Sequence, residues 1–341
     1  MACSINVPTI TICIVNYNGL KYLKGCFDSI AKSDYPFEKI ETIMVDNASV
    51  DESVDYVKSN YSWVRVLALD KNYGFAKANN IGAESAKGKY IVFLNNDTVV
   101  TPDWLTELVD VIENDREIGI VGSKLLLLNA PEKINSAGAN ITFYGGGYDI
   151  GFMDEDSEKY NTSSNKGCVC AAAAMVRREE FLSFGGFDED YFMYLEDTDI
   201  CWRYWLYGKR VVYVPNSVVY HKFSGTSGVY RHVLLKVFYG TRNSLFNIIK
   251  NYETHNMLLP LSFSFLFHIL KTLYFLARFE FNLALSMIKA YCSFLRYMPK
   301  MISKREEVQR KRRIKDRYLF DNSLIVTFSD SFKEFLRLLK V

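Results

Sequence analysis

Lys89-Tyr-Ile-Val-Phe-Leu-Asn-Asn-Asp97 is the stretch of sequence that decides the fold. Five apolar or aromatic residues follow the lysine without a charge, and two amides and a carboxylate end the run. A short apolar run with polar residues at its ends predicts a strand that is buried on both faces of a sheet. Ligands of open α/β sheets bind beyond the carboxyl ends of such strands. Asn95, Asn96 and Asp97 are therefore candidate ligand-binding residues.

One carboxylate beside two amides suits a hard divalent cation, which carries substrate phosphates and keeps several water ligands. Asp97 would be the charged ligand of such a site. The alternative is a strand cap that turns the chain into the following Thr98–Pro102 segment.

Strands and helices alternate on both sides of this stretch. The predicted strands are Thr9–Val15, Ile40–Val45, Val64–Leu69 and Ile118–Leu125, and the predicted helices are Leu20–Ser33, Ser53–Lys58, Phe75–Ala86 and Trp104–Glu113. This alternation predicts an α/β fold with a doubly wound, mostly parallel, Rossmann-like sheet.

The usual glycine-rich nucleotide motifs are absent from the sequence. No G-x-G-x-x-G follows the first strand, and no Walker A motif is present. A nucleotide would therefore be held by carboxylates and amides at strand ends. Asp46, at the end of the second strand, could accept a hydrogen bond from N3–H of uracil or thymine, or could cap the next turn.

A long segment after the fifth predicted strand has a loop-like composition. Residues 129–167 are rich in Gly, Asn and Ser and contain the acidic run Asp154-Glu-Asp156. We expect a mobile segment with few regular elements there, of the kind that forms substrate lids.

Tyr194-Leu-Glu-Asp-Thr-Asp-Ile-Cys-Trp-Arg203 is a second candidate chemical centre, because three of its carboxylates precede an aromatic helix. These are Glu196, Asp197 and Asp199. A helix N-terminus keeps carboxylates ionised, as a general base requires, although an acidic N-cap is the alternative. His221, at the end of a later predicted strand, could ligate a metal or only be hydrogen-bonded.

Length, composition and charge limit the class of protein. With 341 residues, 49% apolar content and a formal charge of +2, the chain predicts one large or two smaller globular domains and no nucleic-acid binding. The N-terminus lacks a basic segment followed by an apolar stretch, so we expect no signal peptide. No uncharged apolar run reaches the length of about 18 residues that indicates a transmembrane helix.

The last third of the chain is apolar and basic. Met257–Leu270 is mostly apolar, but it contains Pro260 and is too short to span a bilayer. Four basic residues fall within roughly 20° of one another on a helix: Lys271, Arg278, Lys289 and Arg296. This stripe, with nine more basic residues between positions 300 and 317, is typical of one or two helices that lie in an anionic membrane interface. Packing on the rest of the chain or on a second subunit is the alternative.

Several stretches match one family in order and spacing. They are Val15-Asn-Tyr-Asn-Gly19, Val45-Asp-Asn-Ala-Ser-Val-Asp-Glu-Ser53, Asn72-Tyr-Gly-Phe-Ala-Lys-Ala-Asn-Asn80, Leu94-Asn-Asn-Asp97, Gly185-Gly-Phe-Asp188, Tyr194–Arg203, His221 and Arg242-Asn243. Over about residues 8–245 the chain resembles family 2 glycosyltransferases of the GT-A fold, particularly the bacterial rhamnosyltransferase-like branch. The family's D-x-D motif is Asn95-Asn96-Asp97 here, which leaves one carboxylate.

The resemblance implies roles for ten residues. Asp97 and His221 would hold Mg²⁺ or Mn²⁺ on the donor diphosphate, and Asp197, with Glu196 beside it, would be the base that deprotonates the acceptor. The implied donor-binding residues are Asn16, Tyr17, Asp46, Asn80, Asn95 and Asn96.

The resemblance also implies an enzyme that transfers a sugar with inversion, with rhamnose as one candidate. The donor would be dTDP- or UDP-linked, and the acceptor a saccharide or lipid-linked molecule in cell-surface polysaccharide (O-antigen) synthesis. We expect a catalytic domain over residues 1–245 and a helical region over residues 246–341, peripheral on the cytoplasmic face of the bacterial inner membrane or in contact within a homo-oligomer. The alternative is a catalytically silent sugar-nucleotide or glycan binding module that assembles a membrane complex.

Overall fold

The computed structural model describes residues 7–222 and 229–331. The first half of the chain builds a parallel sheet, as the alternating pattern predicts. Its strands are β1 (Ile10–Asn16), β2 (Ile40–Asp46), β3 (Val64–Ala68) and β4 (Tyr90–Asn95), and its helices are α1 (Leu20–Ile30), α2 (Ser53–Asn60) and α3 (Gly74–Ser85). These predicted elements are confirmed, with small differences at their ends.

The following elements extend this sheet to a mixed one and add a separate two-stranded sheet. They are β5 (Thr98–Val100), α4 (Trp104–Asn114), β6 (Ile118–Leu127), β7 (Ala130–Ser136), β8 (Ala139–Ile141), β9 (Gly147–Asp149), β10 (Ser164–Asn165), β11 (Ala173–Arg177), α5 (Arg178–Ser183), α6 (Glu196–Leu206) and β12 (Arg210–His221). The strand order is β10-β12-β6-β11-β4-β1-β2-β3, with β5 on β12 and β7 on β6, and β8 pairs with β9 in the separate sheet. β1 pairs in parallel with β2 and β4, whereas β11 is antiparallel to both of its neighbours. The predicted mostly parallel α/β sheet is therefore confirmed.

The direction of strand addition reverses between β1 and β4. β2 and β3 follow on one side of β1, whereas β4 joins its other side. A topological switch point of this kind opens a crevice at the carboxyl ends of the strands, where ligands of α/β sheets bind.

β4 is buried on both faces, as its apolar run predicts. Ile91 and Phe93 belong to one core cluster, and Tyr90, Val92 and Leu94 belong to the cluster on the other side. Successive side chains of a strand point to opposite faces, so this alternation shows that β4 lies between two apolar layers. Because these layers hold β4 in place, they also set where the polar residues that follow it lie at the edge of the sheet.

The prediction of a loop over residues 129–167 is wrong. Four short strands, β7 to β10, lie in this segment, and its Ile134 and Tyr160 are buried in a cluster with Leu126. The buried ammonium group of Lys124 holds the acidic run by a 3.0 Å contact with Asp156. Apolar residues scattered among the glycines form this cluster, although the segment as a whole has the composition of a loop.

Residues 229–331, the described part of the C-terminal region, include four helices. They are α7 (Val229–Asn251), α8 (Thr254–Ala277), α9 (Phe281–Lys311) and α10 (Asp316–Asp321). The apolar and basic segment is therefore two helices, separated by a turn in which Phe279 has a φ of 59°. The predicted domain boundary at position 245 falls inside α7, and the division itself stays a prediction.

The prediction that no helix is long enough to cross a membrane is wrong. α8 has 24 residues and a mean hydropathy of 1.5 over its best 18-residue window, so it passes by length and composition. Only 22% of that window is buried against the rest of the molecule. Pro260 and Lys271 suggested interruptions in the sequence, but both lie inside the continuous helix.

Several basic residues that were predicted to face lipid headgroups instead bind the protein. Lys300 lies 2.7 Å from Asp190, and Lys304 pairs with both Asp190 and Asp188. The Arg305 guanidinium donates to the carbonyl oxygen of Ile249 at 2.6 Å. The two lysines hold α9 against the segment that precedes α6, and Arg305 holds it against α7.

Candidate active site

The ends of three parallel strands are joined by buried polar side chains. The Asn96 amide donates to Oδ1 of Asn16 at 2.8 Å, and the Asn16 amide donates to Oδ1 of Asp46 at 2.9 Å. Asp46 also accepts from the hydroxyl and the backbone N–H of Ser49, at 2.6 and 2.9 Å. Three of the predicted donor-binding residues therefore lie together at the switch point, and their role in donor binding stays a prediction.

The start of α1 lies against these amides because position 19 is a glycine. A Cβ atom on Gly19 would lie 2.1 Å from Nδ2 of Asn96 and 2.5 Å from Oδ1 of Asn16. Any side chain there would disrupt the hydrogen bond between the two amides or move α1. Gly19 is thus needed for close approach, a role that the sequence reasoning did not assign.

The other three predicted donor-binding residues have different surroundings. The Tyr17 side chain is 41% exposed beside Asn16, and Nδ2 of Asn95 lies 3.3 Å from Nε2 of His221. The buried amide of Asn80 donates to the backbone carbonyl of Phe187 at 2.8 Å and accepts from its N–H at 2.9 Å. Asn80 therefore fastens α3 to the segment before α6, and donor binding by this residue stays a prediction.

Asp97 and His221 face each other across β5 and β12. Oδ1 of Asp97 lies 3.3 Å from Nε2 of His221, because the strand pairing places His221 opposite Thr98. Nδ1 of the same ring lies 2.7 Å from Oδ1 of Asn135. When Nδ1–H donates to Asn135, the ring presents the lone pair of Nε2 toward the carboxylate of Asp97.

Two facing lone-pair donors fit a divalent cation. The carboxylate of Asp97 and the imidazole of His221 can occupy two positions, and diphosphate oxygens and water can occupy the others. The described ranges 7–222 and 229–331 contain no group of three or more His, Cys, Asp or Glu side chains arranged to hold a metal. Asp97 and His221 therefore fit a cation that binds together with a diphosphate, and not a site in which the protein supplies every metal ligand.

Three carboxyl groups meet near the N-terminus of α6. Burial raises the pKa of Glu196 well above its usual range, and the charge of Asp197 adds to the rise. Burial also raises the pKa of Asp197, although the N–H of Thr198 donates to it at 2.7 Å. Burial therefore opposes the effect of the helix N-terminus, which the sequence predicts to keep these carboxylates ionised.

Asp149, on β9, is the third carboxyl group. Burial and the charge of Asp197 together raise its pKa to about 6, against the opposing effects of a hydrogen bond with Ser136 and the charge of His221. Asp149 is therefore close enough to both residues to respond to their charges. Asp149 therefore links the carboxyl groups at α6 electrostatically with His221.

Asp199 has a different role from its neighbours on α6. Its buried carboxylate pairs with Arg203 at 2.9 Å and with Lys250 at 2.8 Å, and Lys250 also pairs with Asp188 at 2.5 Å. Burial raises the pKa of Asp199, but the charges of Lys250 and Arg203 outweigh burial and hold the pKa below its usual range. Asp199 is therefore part of a buried ionic network that joins α6 to α7.

Asn135 and Asp149 were missed because both lie in the segment that was predicted to be a loop. One local signal was present, the run Gly145-Gly-Gly147 directly before Tyr148-Asp149. A Cβ atom on Gly147 would lie 2.7 Å from the hydroxyl of Thr198, so this glycine lets β9 approach α6. No comparable signal marks Asn135.

Comparisons with known proteins identify the family of this chain. Residues 11–181, half of the chain, match the family model described as Glycosyl transferase family 2. The chain is 30% identical over 230 residues to O-antigen biosynthesis protein RfbC of Myxococcus xanthus, covering 64% of this chain and 18% of that protein. It is 26% identical over 227 residues to glycosyltransferase GlyG of Streptococcus pneumoniae serotype 4, covering 64% and 72%. With protein y4gI of Sinorhizobium fredii the identity is 28% over 233 residues, or 65% of this chain and 25% of the relative.

Solved structures share the fold. The structure of residues 1–349 of Staphylococcus aureus TarS superposes with a TM-score of 0.57 at 17% identity, covering 89% of this chain and 87% of that one. The mannosyltransferase PcManGT from Pyrobaculum calidifontis, in complex with GDP-Man and Mn²⁺, gives 0.55 at 15% identity, covering 90% and 86%. GalNAc-T7 with UDP, GalNAc and Mn²⁺ gives 0.55 at 19% identity, covering 72% and 51%. The chain has the GT-A fold with a C-terminal helical region, and it belongs to glycosyltransferase family 2.

Proposed function

We propose that this chain transfers a sugar from a nucleotide-diphosphate donor to an acceptor hydroxyl, with inversion at the anomeric carbon. The observation that carries the proposal is the polar crevice at the strand ends, where hydrogen bonds join Asn96, Asn16 and Asp46 and where Asp97 faces His221 at 3.3 Å. Asp149 links the carboxyl groups at α6, which can accept a proton, electrostatically with His221. Sugar transfer from a nucleotide donor uses both features at one place.

The donor would lie along the ends of β1, β2 and β4. Asp46 retains acceptor capacity for a base N–H beyond its bonds to Ser49 and Asn16, and the exposed ring of Tyr17 lies next to these residues. Structures of TarS contain UDP and UDP-GlcNAc, which supports a UDP- or dTDP-linked donor. Rhamnose is our proposal for the sugar, by resemblance to the rhamnosyltransferase-like branch.

The cation would be Mg²⁺ or Mn²⁺, held by Asp97 and His221. When bound, such an ion offsets the negative charge that develops on the leaving diphosphate. Asn135 fixes the ring of His221, and the relatives solved with Mn²⁺ support this choice.

Asp197 would be the base. Its carboxylate accepts the proton of the acceptor hydroxyl while the acceptor oxygen bonds to the anomeric carbon and the bond from that carbon to the diphosphate oxygen breaks. Burial raises the pKa of Asp197, which makes its carboxylate a stronger base than an exposed aspartate. Oε2 of Glu196 is buried without a hydrogen-bond partner in the described residues, so it can accept from a second hydroxyl of the sugar.

A panel of nucleotide sugars, each tested with and without Mg²⁺ or Mn²⁺, tests this function. We expect cation-dependent transfer or slow hydrolysis for one donor class. Binding of a nucleotide sugar without turnover of any donor would instead support the catalytically silent binding module. The single carboxylate in Asn95-Asn96-Asp97 is the observation that favours this second candidate.

We further propose that α8 and α9 hold the protein on the cytoplasmic face of the bacterial inner membrane, near a lipid-linked acceptor. α8 exposes large apolar side chains at helical spacing, among them Leu266 (56%), Ile269 (53%) and Leu273 (55%). α9 exposes Ile288 (52%) and Leu295 (61%) in the same way. Exposed apolar faces of this extent mark interaction sites.

The charges around this face favour an anionic surface. Of the seven Lys and Arg between positions 254 and 305, three bind the protein, and the other four stand beside one acid, Glu280. Lys289 and Arg296 are exposed on α9 directly after Ile288 and Leu295. A second copy of the chain would bring like charges together, whereas anionic headgroups would pair with them at about 1 kcal/mol each. The relatives RfbC and TarS, by their names an O-antigen biosynthesis protein and a poly(ribitol-phosphate) N-acetylglucosaminyltransferase, support a role in cell-surface glycan synthesis.

A further inference from the structure

The residues directly before Glu196 have an unusual backbone conformation. Phe192, Tyr194 and Leu195 have φ angles of 64°, 66° and 66°. Side chains other than glycine rarely adopt this left-handed region, and they do so only where the surroundings hold them there. The segment leads directly into the carboxylates of α6, so whatever holds it also decides where those carboxylates lie.

Asn243, on α7, holds the segment by its carbonyl groups. Nδ2 of Asn243 lies 3.1 Å from the carbonyl oxygen of Tyr191, 3.0 Å from that of Met193 and 2.7 Å from that of Tyr194. Asn243 is fully buried, so water has no access to replace these hydrogen bonds.

Arg242 fixes the orientation of that amide. Its Nε donates to Oδ1 of Asn243 at 2.9 Å, which leaves Nδ2 to face the carbonyls. The same guanidinium donates to the carbonyl oxygens of Asp190 at 2.6 Å and Tyr191 at 3.0 Å. Four aromatic rings surround the guanidinium at 4.9–5.7 Å and restrict its movement: Phe238, Tyr239, Phe246 and Tyr297.

The one carbonyl between these contacts is held from the donor side of the site. The carbonyl oxygen of Phe192 accepts from the N–H of Phe75 at 2.6 Å, at the start of α3. Asn47, at the end of β2, accepts from the N–H of Tyr73 at 2.8 Å and so fixes that start. All five carbonyls from Asp190 to Tyr194 are therefore held by α7 or by the start of α3.

We propose that Arg242 and Asn243 are positioning residues, which set the place of the Glu196 and Asp197 carboxylates relative to the donor by fixing the carbonyls of residues 190–194. The inference rests on the proposed sugar transfer. Neither side chain contacts Glu196 or Asp197 directly, so the effect passes through the backbone of the left-handed segment.

The test compares two buried asparagines of α7. Asn243→Ala should lower kcat by about 100-fold, the usual effect of misplacing a catalytic group. The affinity for UDP with Mn²⁺ should stay within about twofold of wild type, because the donor-side residues keep their contacts. The matched control is Asn247→Ala, which removes bonds to the Tyr191 hydroxyl (2.6 Å) and the Gly145 carbonyl (2.8 Å) but none to the carbonyls of 190–194.

The control should lower the melting temperature as much as Asn243→Ala does, with kcat reduced by less than about threefold. The acid limb of the pH profile of kcat should move to lower pH in Asn243→Ala only, because a displaced Asp197 gains water. Arg242→Lys keeps the positive charge but loses the planar guanidinium with its several N–H donors. Its kcat should lie between those of wild type and Asn243→Ala. Equal kcat in the two alanine variants, or a parallel loss of UDP affinity and kcat, would overturn the positioning role.

Failure of the proposed function gives a different result. A wild-type protein that turns over no donor would remove the transferase proposal, whatever the variants do. Hydrogen exchange of the amides of residues 192–197 then measures the contacts alone. Protection that is unchanged in Asn243→Ala would overturn the inference on that measurement as well.

Discussion

The carboxylates of the site have distinct environments, and these assign them distinct tasks. Asp97 faces a histidine nitrogen, Asp197 lies in a buried group that raises its pKa, and Asp199 pairs with two cations that lower its pKa. Groups with separated pKa values can hold different protonation states at one pH. Asp197 has a raised pKa and its charge acts on Asp149, whereas Asp199 is held in the ionic network, which is why we propose Asp197 as the base.

Asp97→Ala should weaken cation-dependent binding of UDP by more than about 10-fold. Loss of a residue that only hydrogen-bonds a metal ligand already lowers metal affinity by about 10–100-fold, and Asp97 would be a ligand itself. The neighbouring amides cannot replace the lost charge. Isothermal titration of UDP with and without Mn²⁺ measures the effect. Asp103→Ala, at the exposed start of α4, is the control and should bind as wild type. Unchanged affinity and unchanged cation dependence in Asp97→Ala would contradict the ligand assignment.

Asp197→Asn should reduce turnover by about two to four orders of magnitude, the usual contribution of a general base. The amide keeps the shape of the carboxylate and removes its basicity, so UDP affinity should remain near that of wild type. Steady-state kinetics together with UDP titration separate the two effects. Turnover near the wild-type value would reduce Asp197 to a helix cap and leave Glu196 as the candidate base.

Single-residue roles were predictable where a residue follows a strong pattern. β1 and β2 end at Asn16 and Asp46, and β4 is followed by Asn96 and Asp97. Parallel strands end at the same edge of a sheet, so the sequence could predict that these four residues lie at one edge. Asp149 could not be foreseen, because its raised pKa arises from a packing of β9 on α6 that no local pattern encodes.

At the level of helices and strands, buried charges join α6, α7 and α9. Lys250 of α7 contacts Asp199 of α6 and Asp188, which also pairs with Lys304 of α9. A buried ion pair that loses one partner leaves an uncompensated charge, which costs much more than an exposed pair contributes. The relative positions of the three helices therefore depend on this network.

Lys250→Met should reduce the free energy of unfolding at pH 7 by about 3–5 kcal/mol, because Asp188 and Asp199 keep buried charges without Lys250. Both aspartates have lowered pKa values in the folded wild type despite burial, through Lys250 and their other cationic partners. Their stabilisation is thus present above the unfolded pKa of about 3.9 and is lost as the pH falls through the folded values.

In the variant, these carboxyl groups become easier to protonate. The stability difference between wild type and Lys250→Met should therefore shrink as the pH falls from about 7 to about 4. Urea unfolding at both pH values measures it, with the exposed Lys58→Met on α2 as the control. A difference that grows toward low pH would contradict the predicted charge balance.

Regular elements were predictable in proportion to the strength of their patterns. The strands β1 to β4 and β6 are apolar runs with polar ends, and the sequence specified each of them. The short strands β7 to β10 were not predictable, because they depend on contacts such as the pairing of Ser164 in β10 with Tyr213 in β12, between residues far apart in the sequence.

For the molecule as a whole, the faces of α8 and α9 form an extended apolar surface that the described residues leave uncovered. Phe279 is 79% exposed and Phe281 61% exposed at the turn between the helices, close to the exposed Leu285 on α9. Burial of one such side chain in lipid is worth about 1.5–3 kcal/mol. Burial of several such side chains would contribute more binding free energy than the basic contacts lose in high salt.

The protein should float with liposomes that contain anionic lipid, and more weakly as salt is raised, because salt screens the basic contacts. Flotation in a density gradient measures this. The variant Leu285→Gln, Ile288→Gln, Leu295→Gln should float poorly, since it removes apolar contacts from one exposed stripe. The control Phe37→Gln, Val50→Gln alters exposed residues outside these helices and should float as wild type.

Equal flotation of the triple variant and the control would locate the membrane contact elsewhere. A protein that never floats and elutes as a defined oligomer would show that a second copy covers this face. The sequence suggested a membrane contact through its basic residues, but Lys300, Lys304 and Arg305 bind the protein instead. Their partners lie more than a hundred positions away or on another helix, so the sequence could not reveal this use.

The contact of Lys304 with Asp188 and Asp190 limits how this gene can be recombined. An expression fragment that stops after β12 would lack Lys250 and Lys304, and it would expose acidic groups that evolved with cationic partners. A chimera that joins this sheet domain to the tail of another transferase would meet the same problem, unless the new tail carried lysines at equivalent places. Donor specificity in this protein is therefore better altered by point substitutions at the strand ends than by exchange of whole segments.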